Sequence, residues 1–287
     1  MFILLQKVSI VVRHFVIFTL DMFGKKVELH DLIPIRLINQ LSTLFKSKSS
    51  LEKRFIVYCS EHRLDSKAQF YQDLFVLFSI EYLIPVKPKE NSEYYFVDIG
   101  ATDGIGISNS HLLEKKYFWN GLVVEPAQRW HKELALNRSA IVDKRCVWSD
   151  SHLMLPFLET ENAGQSGLKC VDECDAFSKG RAGHRTYDVE TISLINLLDC
   201  HQAPSVIDYL SLDTEGAEYT ILKDFYFDKY KFKVISVEHN YNKKNCEDLL
   251  NLLTSKGYVR ILRLVSWVDY WFIHSSFYSQ LNLVRQR

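Results

Sequence analysis

The stretch YYFVDIGATDGIGISNS, residues 94–110, joins an apolar, strand-like run to a loop with glycines at positions 100, 104 and 106. A glycine turn directly after a strand is typical of a nucleotide-type cofactor site, because residues without a Cβ let the backbone approach a ligand closely. The spacing is not the dinucleotide fingerprint G-x-G-x-x-G. The stretch therefore predicts a cofactor loop, and the neighbouring residues must decide which cofactor it holds.

Beyond this loop, short apolar runs alternate with helical patterns, which predicts a parallel sheet with helices on both faces. Residues 145–150 are predicted to be the third strand, and residues 258–264 and 269–275 a closing antiparallel hairpin. Ligands of such sheets bind at the carboxyl ends of the strands. In this chain those ends carry acidic or polar groups: Asp98, Glu125, Asp150, Asp213, Glu215, Glu238 and His239.

The organisation predicted for the chain has two parts. Residues 1–50 form an N-terminal helical extension, followed by the main domain over residues 51–287. Within that domain, residues 51–92 supply lead-in helices, one of them from about Ser66 to Pro85, and residues 93–287 form the core. The polar, basic segment 46–53 is the candidate linker.

The composition limits the classes of partner. The chain of 287 residues has 35 basic and 35 acidic side chains, so no overall basic charge predicts binding to nucleic acid. Its six cysteines are widely spread, which favours reduced thiols and a cytoplasmic location. Residues 1–23 are apolar but interrupted by charges. They predict a helix that packs on the domain or on a second subunit of a homodimer, with two alternatives: a helix lying on the inner membrane face, or a membrane span.

Charge distinguishes between the cofactors that the glycine turn could hold. Asp98 stands two residues before Gly100, and Asp103 lies within the loop. Two carboxylates would oppose the pyrophosphate of NAD, whereas they suit the cationic amino group of a methionine moiety. The residues therefore favour S-adenosylmethionine. Glu125, at the end of the second strand, suits either cofactor because it can accept both ribose hydroxyls.

Four motifs in order resemble the FkbM-type family of S-adenosylmethionine-dependent methyltransferases. They are YYFVDIGATDGIGISNS (94–110), FWNGLVVEP (118–126), LSLDTEGAEYTIL (210–222) and ISVEHN (235–240). The resemblance covers about residues 66–275. It implies a class I methyltransferase sheet, Rossmann-like and mostly parallel, and transfer of a methyl group to an oxygen, often on a sugar or secondary metabolite.

The same resemblance implies roles for individual residues. Asp98, Gly100 and Gly104 shape the methionine end of the pocket, together with Asp103 on the charge argument, and Glu125 holds the ribose. Asp150 is a candidate for the adenine amino group, or is otherwise a surface acid. Thr102 stands where many methyltransferases have the middle glycine of the turn; it is expected to remodel the loop and still to contribute to cofactor binding.

Transfer to a hydroxyl requires a base or a metal to help remove the proton. The candidate catalytic residues are Asp213, Glu215 and His239, with a purely structural role as the alternative for the histidine. Asp213 and Glu238 could instead hold a divalent cation such as Mg²⁺, as the acids of catechol-type O-methyltransferases do after the same two strands. Glu218 is expected to face solvent.

The function predicted from the sequence is O-methylation of a hydroxyl on a sugar, polysaccharide, glycolipid or related metabolite. A glycine-rich, basic insert at residues 161–186 is expected to act as a lid or to bind an anionic acceptor, or else to be a solvated loop. Two alternatives stay open: a NAD(P)-dependent Rossmann oxidoreductase, and a non-catalytic module that only binds the cofactor.

Overall fold

The structure, a computed structural model, describes residues 51–85, 90, 93–160, 166–174, 185–239 and 243–279. The chain divides into two compact units, Met1–Leu64 and Asp65–Arg287. The predicted extension over residues 1–50 and the membrane or subunit contact of residues 1–23 lie outside the described residues. Within the described ranges, no helix is both long and apolar enough to cross a membrane.

Helices and strands alternate along most of the described chain. The helices are α1 (Leu51–His62), α2 (Gln72–Phe78), α3 (His111–Lys115), α4 (His131–Asn137), α5 (Leu194–Cys200), α6 (Glu218–Leu222) and α7 (Lys243–Ser255). The strands are β1 (Tyr95–Ile99), β2 (Asn120–Val124), β3 (Ile141–Asp143), β4 (Cys146–Trp148), β5 (Met154–Glu159), β6 (Gly167–Leu168), β7 (Arg185–Ser193), β8 (Val206–Leu212), β9 (Lys231–Glu238), β10 (Tyr258–Ile261) and β11 (Asp269–His274). The predicted mixed α/β fold with a large sheet is confirmed.

The larger sheet has seven strands in the order β10-β11-β9-β8-β1-β2-β3. β1 lies at its centre, parallel to β2 and β8, with Asp98 opposite Val123 on one side and Ser211 on the other. β9 continues the parallel arrangement beside β8, whereas β11 runs antiparallel to both β9 and β10. The carboxyl ends of β1, β2, β8 and β9 therefore meet at one edge of the sheet.

Alternate strand residues pack on opposite faces of this sheet, as the two-residue period of a strand requires. Val97 and Ile99 join a buried cluster that includes Leu197 of α5 and Leu249 of α7. On strand β11, Phe272 belongs to that cluster, and its neighbour Trp271 stacks on Phe75 of α2 with ring centroids 4.5 Å apart. Burial of these apolar side chains holds the strand ends in fixed positions.

The part of the chain between β3 and α5 forms a second sheet of four strands, in the order β4-β7-β5-β6. The prediction that residues 145–150 form the third strand of the main sheet is wrong. Ile141–Asp143 takes that place and pairs with β2, while Cys146–Trp148 pairs with the end of β7. The chain turns between the two because Asp143 accepts hydrogen bonds from the backbone N–H and the guanidinium of Arg145.

The predicted helix from Ser66 to Pro85 is shorter than expected, because it begins only at Gln72 and ends in a π-helical turn over Ser79–Leu83. The buried carboxylate of Asp73 holds the preceding residues in a turn by accepting hydrogen bonds from the Ser66 hydroxyl and the Lys67 N–H. These bonds compete with helix formation, as short polar side chains often do near helix starts.

Candidate active site

The glycine loop after β1 packs directly on the end of β8. Gly100 has a φ of +94°, and a Cβ at this position would stand 2.0 Å from the carbonyl oxygen of Asp213. Gly104 has a φ of +81°, and a Cβ there would come within 2.8 Å of Leu134. Both positions therefore require glycine for conformation and for space.

A buried hydrogen-bond network connects the end of β1, this loop and the residues around α3. Asp98 is 2% exposed and accepts a hydrogen bond of 2.5 Å from the Ser110 hydroxyl. The guanidinium of Arg138 donates to the same hydroxyl, to Glu114 and to the carbonyl of Gly104. Burial raises the pKa of Asp98, and the charge of Arg138 opposes that shift. Sequence reasoning missed Arg138, since nothing in its pattern distinguishes it from a surface arginine.

Glu125 connects the end of β2 to the glycine loop. It is 5% exposed, and its two oxygens accept hydrogen bonds of 2.8 Å from the backbone N–H groups of Thr102 and Ala127. Burial raises the pKa of its carboxyl to about 7 in spite of these donors. Thr102 adopts a φ of +47°, so the loop bends at this residue towards Glu125.

Asp103 lies at the tip of the loop. Its carboxylate accepts hydrogen bonds from the backbone N–H groups of Ile105 and Gly106, at 2.9 and 2.7 Å. The carbonyl of Asp103 in turn accepts a bond from the Asn137 side chain. In this arrangement the residue fixes the shape of its own turn.

A cleft that is partly open to solvent lies at the carboxyl ends of β1, β2 and β8. Among the described residues that line it, the ionisable acids are Glu125, Asp213 and Glu215, and none is a lysine, arginine or histidine. The lining is completed by Ile99, Gly100, Thr102, Ile107, Asn109, Pro126, Trp130, Cys146, Val147, Phe157, Ser166, Gly167, Leu168, Thr214 and Ala217.

Three carboxylates come together at the ends of β8 and β9. Asp213, Glu215 and Glu238 each offer an oxygen, and these oxygens lie within 4.8 Å of one another. Burial raises the pKa of Asp213, while burial and the neighbouring charge of Asp213 hold the pKa of Glu238 well above its ordinary range. Such a group can share a proton or hold a divalent cation through hard oxygen ligands.

His239 follows Glu238 but points into the protein. It is 4% exposed, and its ring packs on Tyr270 with centroids 4.2 Å apart. Burial, with the nearby charge of Arg260, lowers its pKa to about 4. The imidazole is therefore neutral and weakly basic at neutral pH, and its catalytic role stays a prediction.

Glu218 does not face solvent, so that prediction is wrong. It is 1% exposed, and its carboxylate accepts hydrogen bonds from the backbone N–H groups of Thr214 and Gly216. Burial raises its pKa to about 7. The side chain turns back to hold the loop after β8, because that loop leaves N–H groups that need a partner.

Two predicted elements, Asp150 and the insert at 161–186, differ in whether they line the cleft. Asp150 is exposed and accepts a bond from the Ser149 hydroxyl, and it is not among the described lining residues. Of the insert at 161–186, residues 161–165 and 175–184 lie outside the described residues. Ser166, Gly167 and Leu168 do line the cleft, so this described part of the insert lies at the site.

The sheet, the glycine loop and the acid-lined cleft define an α/β protein with a small-molecule site at its strand ends. A family model of the methyltransferase FkbM domain matches residues 98–260, more than half of the 287-residue chain. The chain belongs to the FkbM methyltransferase family, and the resemblance in its motifs is confirmed. The match runs from the end of β1 to β10 and so contains the whole cleft. No curated protein matches the chain.

Proposed function

We propose that the protein is an S-adenosylmethionine-dependent O-methyltransferase that acts on a hydroxyl of a sugar, polysaccharide, glycolipid or related metabolite. Family membership supports methyl transfer. The strand order β3-β2-β1-β8-β9-β11-β10, with β11 antiparallel, supports the class I methyltransferase sheet and its closing hairpin.

The observation that carries the choice of cofactor is the charge of the cleft. Its described carboxylic acids are Glu125, Asp213 and Glu215, and its described lining has no basic side chain. Glu125 suits either cofactor, but the carboxylates of Asp213 and Glu215 would repel a pyrophosphate and attract a sulfonium and an ammonium. Glu125 retains acceptor capacity for ribose hydroxyls beyond its two backbone bonds. The same argument counts against the NAD(P)-dependent oxidoreductase.

S-Adenosylmethionine supplies an already activated methyl group, so the protein mainly has to position the acceptor and take its proton. Burial raises the pKa of both Asp213 and Glu238, so each carboxylate is a stronger base than an exposed one. Glu215 lies close enough to join them. Mg²⁺ on Asp213 and Glu238 would be the alternative, since a cation also lowers the pKa of a bound hydroxyl.

Calorimetric titration tests the cofactor. The protein is expected to bind S-adenosylmethionine and S-adenosylhomocysteine and not NAD, and Glu125→Ala is expected to weaken binding at least tenfold. Glu133→Ala, on the exposed side of α4, is the matched control. Preference for NAD, or undiminished affinity in Glu125→Ala, would overturn the assignment.

Methyl-transfer assays on a panel of sugar acceptors test catalysis. Asp213→Asn is expected to lose activity, whereas Asp224→Asn at an exposed position is expected to retain it. Loss of activity with a chelator and recovery with Mg²⁺ would favour the cation over direct proton transfer. Full activity of Asp213→Asn would remove that residue from the mechanism, and no transfer to any acceptor by a protein that binds the cofactor would favour the non-catalytic module.

The proposal extends to residues 1–23 as a contact for the inner membrane face or for a second subunit, in a cytoplasmic protein. Sedimentation would measure the subunit contact and vesicle co-flotation the membrane contact, each on the full chain and on a chain that lacks these residues. Identical behaviour of the two chains would count against the contact.

A further inference from the structure

Asn109 is a buried polar residue that lines the cleft just before α3. It is 9% exposed, and its Nδ2 donates a hydrogen bond of 3.0 Å to the hydroxyl oxygen of Ser211 on β8. Its Oδ1 has no hydrogen-bond partner among the residues that the structure describes. A buried acceptor without a partner is costly and therefore calls for an explanation.

The orientation of this carboxamide follows from its neighbours. Hydrogen bonds from the Ser211 hydroxyl lower the pKa of both Asp98 and Tyr209, so its proton is donated to an oxygen of one of these two residues. Its oxygen is then left to accept from Asn109, which requires the amide nitrogen on that side. The carbonyl oxygen of Asn109, a residue that lines the cleft, is consequently the end of the carboxamide that is buried without a partner among the described residues.

A ligand group that meets this oxygen must donate a hydrogen bond. The same cleft contains Asp213 and Glu215, and its described lining has no basic side chain, so a cationic donor is favoured over a carboxylate. The positions of Asn109 and Glu125 indicate which part of the ligand would meet this oxygen. Asn109 contacts β8, whereas Glu125 ends β2, and β1 lies between these two strands. A ligand whose ribose is held by Glu125 would therefore present its other end to Asn109.

We infer that Oδ1 of Asn109 accepts a hydrogen bond from the α-ammonium of the methionine moiety of the cofactor. This inference rests on the proposed function. It makes Asn109 a binding residue that distinguishes an amino-acid-bearing nucleoside from one without the amino group. The ammonium would also lie near the acids of the cleft, which supply the attraction that one neutral carbonyl cannot.

The test is a thermodynamic cycle between a protein group and a ligand group, measured by calorimetry on the full chain. The two ligands are S-adenosylhomocysteine and its analogue with the α-amino group replaced by hydrogen. The wild type is expected to bind the analogue at least about tenfold more weakly. Asn109→Leu is expected to bind S-adenosylhomocysteine about tenfold more weakly than the wild type does. The loss of affinity caused by removing the amino group from the ligand is expected to be smaller in this variant by a similar factor. Asn196→Leu, at an exposed site on α5, is the matched control.

Methylthioadenosine, which lacks the whole amino-acid part, shows whether the pocket of the variant is intact, and its affinity should change less than about twofold. If the wild type binds neither nucleoside thioether, the proposed function fails and the inference with it. The inference alone is overturned if the wild type binds S-adenosylhomocysteine and its analogue without the amino group equally well. It is also overturned if the loss of affinity from removing the amino group is the same in the wild type and in Asn109→Leu. If Asn109→Leu does not fold, Asn109→Ala replaces it in the same cycle, because the comparison of ligands on the wild type shows only that the amino group is recognised and not which residue accepts its hydrogen bond.

Discussion

Replacing Glu125 by glutamine should change how the stability of the protein depends on pH. Burial raises the pKa of this carboxyl to about 7 in the folded protein, from an ordinary value of 4.5. The folded state therefore holds the proton more tightly than the unfolded chain. The resulting stabilisation is full below pH 4.5 and is lost as the pH rises through about 7. At about 1.4 kcal/mol for each pH unit between the two values, the loss is about 3 kcal/mol.

Urea unfolding of the wild type and of Glu125→Gln, between about pH 5 and about pH 8, measures this contribution. The free energy of unfolding of the wild type should fall more steeply with pH, so that the difference between the proteins moves by about 3 kcal/mol in favour of the variant. Glutamine also leaves one of the two backbone N–H groups facing an amide donor, which adds a constant penalty of about 1–3 kcal/mol.

A matched substitution at an exposed site, Glu133→Gln, controls for the general effect of removing one charge. Its unfolding curve should run parallel to that of the wild type over the same pH range. If Glu125→Gln also runs parallel to the wild type, the carboxyl does not take up a proton near neutral pH. The explanation by burial would then be wrong.

Three further substitutions or measurements follow from the same contacts. Gly100→Ala should destabilise the protein by several kcal/mol in thermal unfolding because its Cβ overlaps the backbone, with Gly106→Ala as the tolerated control. Arg138→Met should cost about 3–5 kcal/mol because Glu114 loses its buried cationic partner and keeps only the exposed Lys115 and the Ser139 N–H, whereas Lys116→Met in an exposed ion pair should cost less than about 1 kcal/mol in urea unfolding. The NMR signals of His239 should stay those of a neutral ring until the pH falls to about 4; titration near 6.5 would contradict its burial.

The main features of the site could be predicted from the sequence because two simple patterns occur together: apolar runs, and polar residues directly after them. Apolar runs such as residues 95–99 and 206–212 indicated buried parallel strands, and the polar residues after them indicated where a ligand would bind. Asp213 and Glu238 were placed at neighbouring strand ends by this reasoning, and they lie in one cluster. Strand ends are predictable because parallel pairing brings them to one edge whatever the intervening helices do.

Other features depend on contacts that local patterns do not contain. Ile141–Asp143 and Cys146–Trp148 are both three-residue strands, and only their partners, β2 and β7, assign them to different sheets. Glu218 occupies the first position of a short helix, where a solvent-exposed acid is ordinary, yet it is buried because the loop before it needs acceptors. Arg138 is likewise fixed by partners distant in sequence, such as Glu114.

The acids at this edge of the sheet divide into two kinds according to their partners. Glu125 and Glu218 accept backbone N–H groups, so their carboxylates fix the loops after β1 and β8. Asp213 and Glu238 instead interact with each other, and the charge of Asp213 raises the pKa of Glu238. The first kind fixes the loops at the ends of the strands. The second gives a pair that can take up a proton or a cation next to the cleft, because either one relieves the repulsion. The proposed methyl transfer to a hydroxyl would use both properties: fixed loops to position the reactants, and a pair of acids to take up the proton.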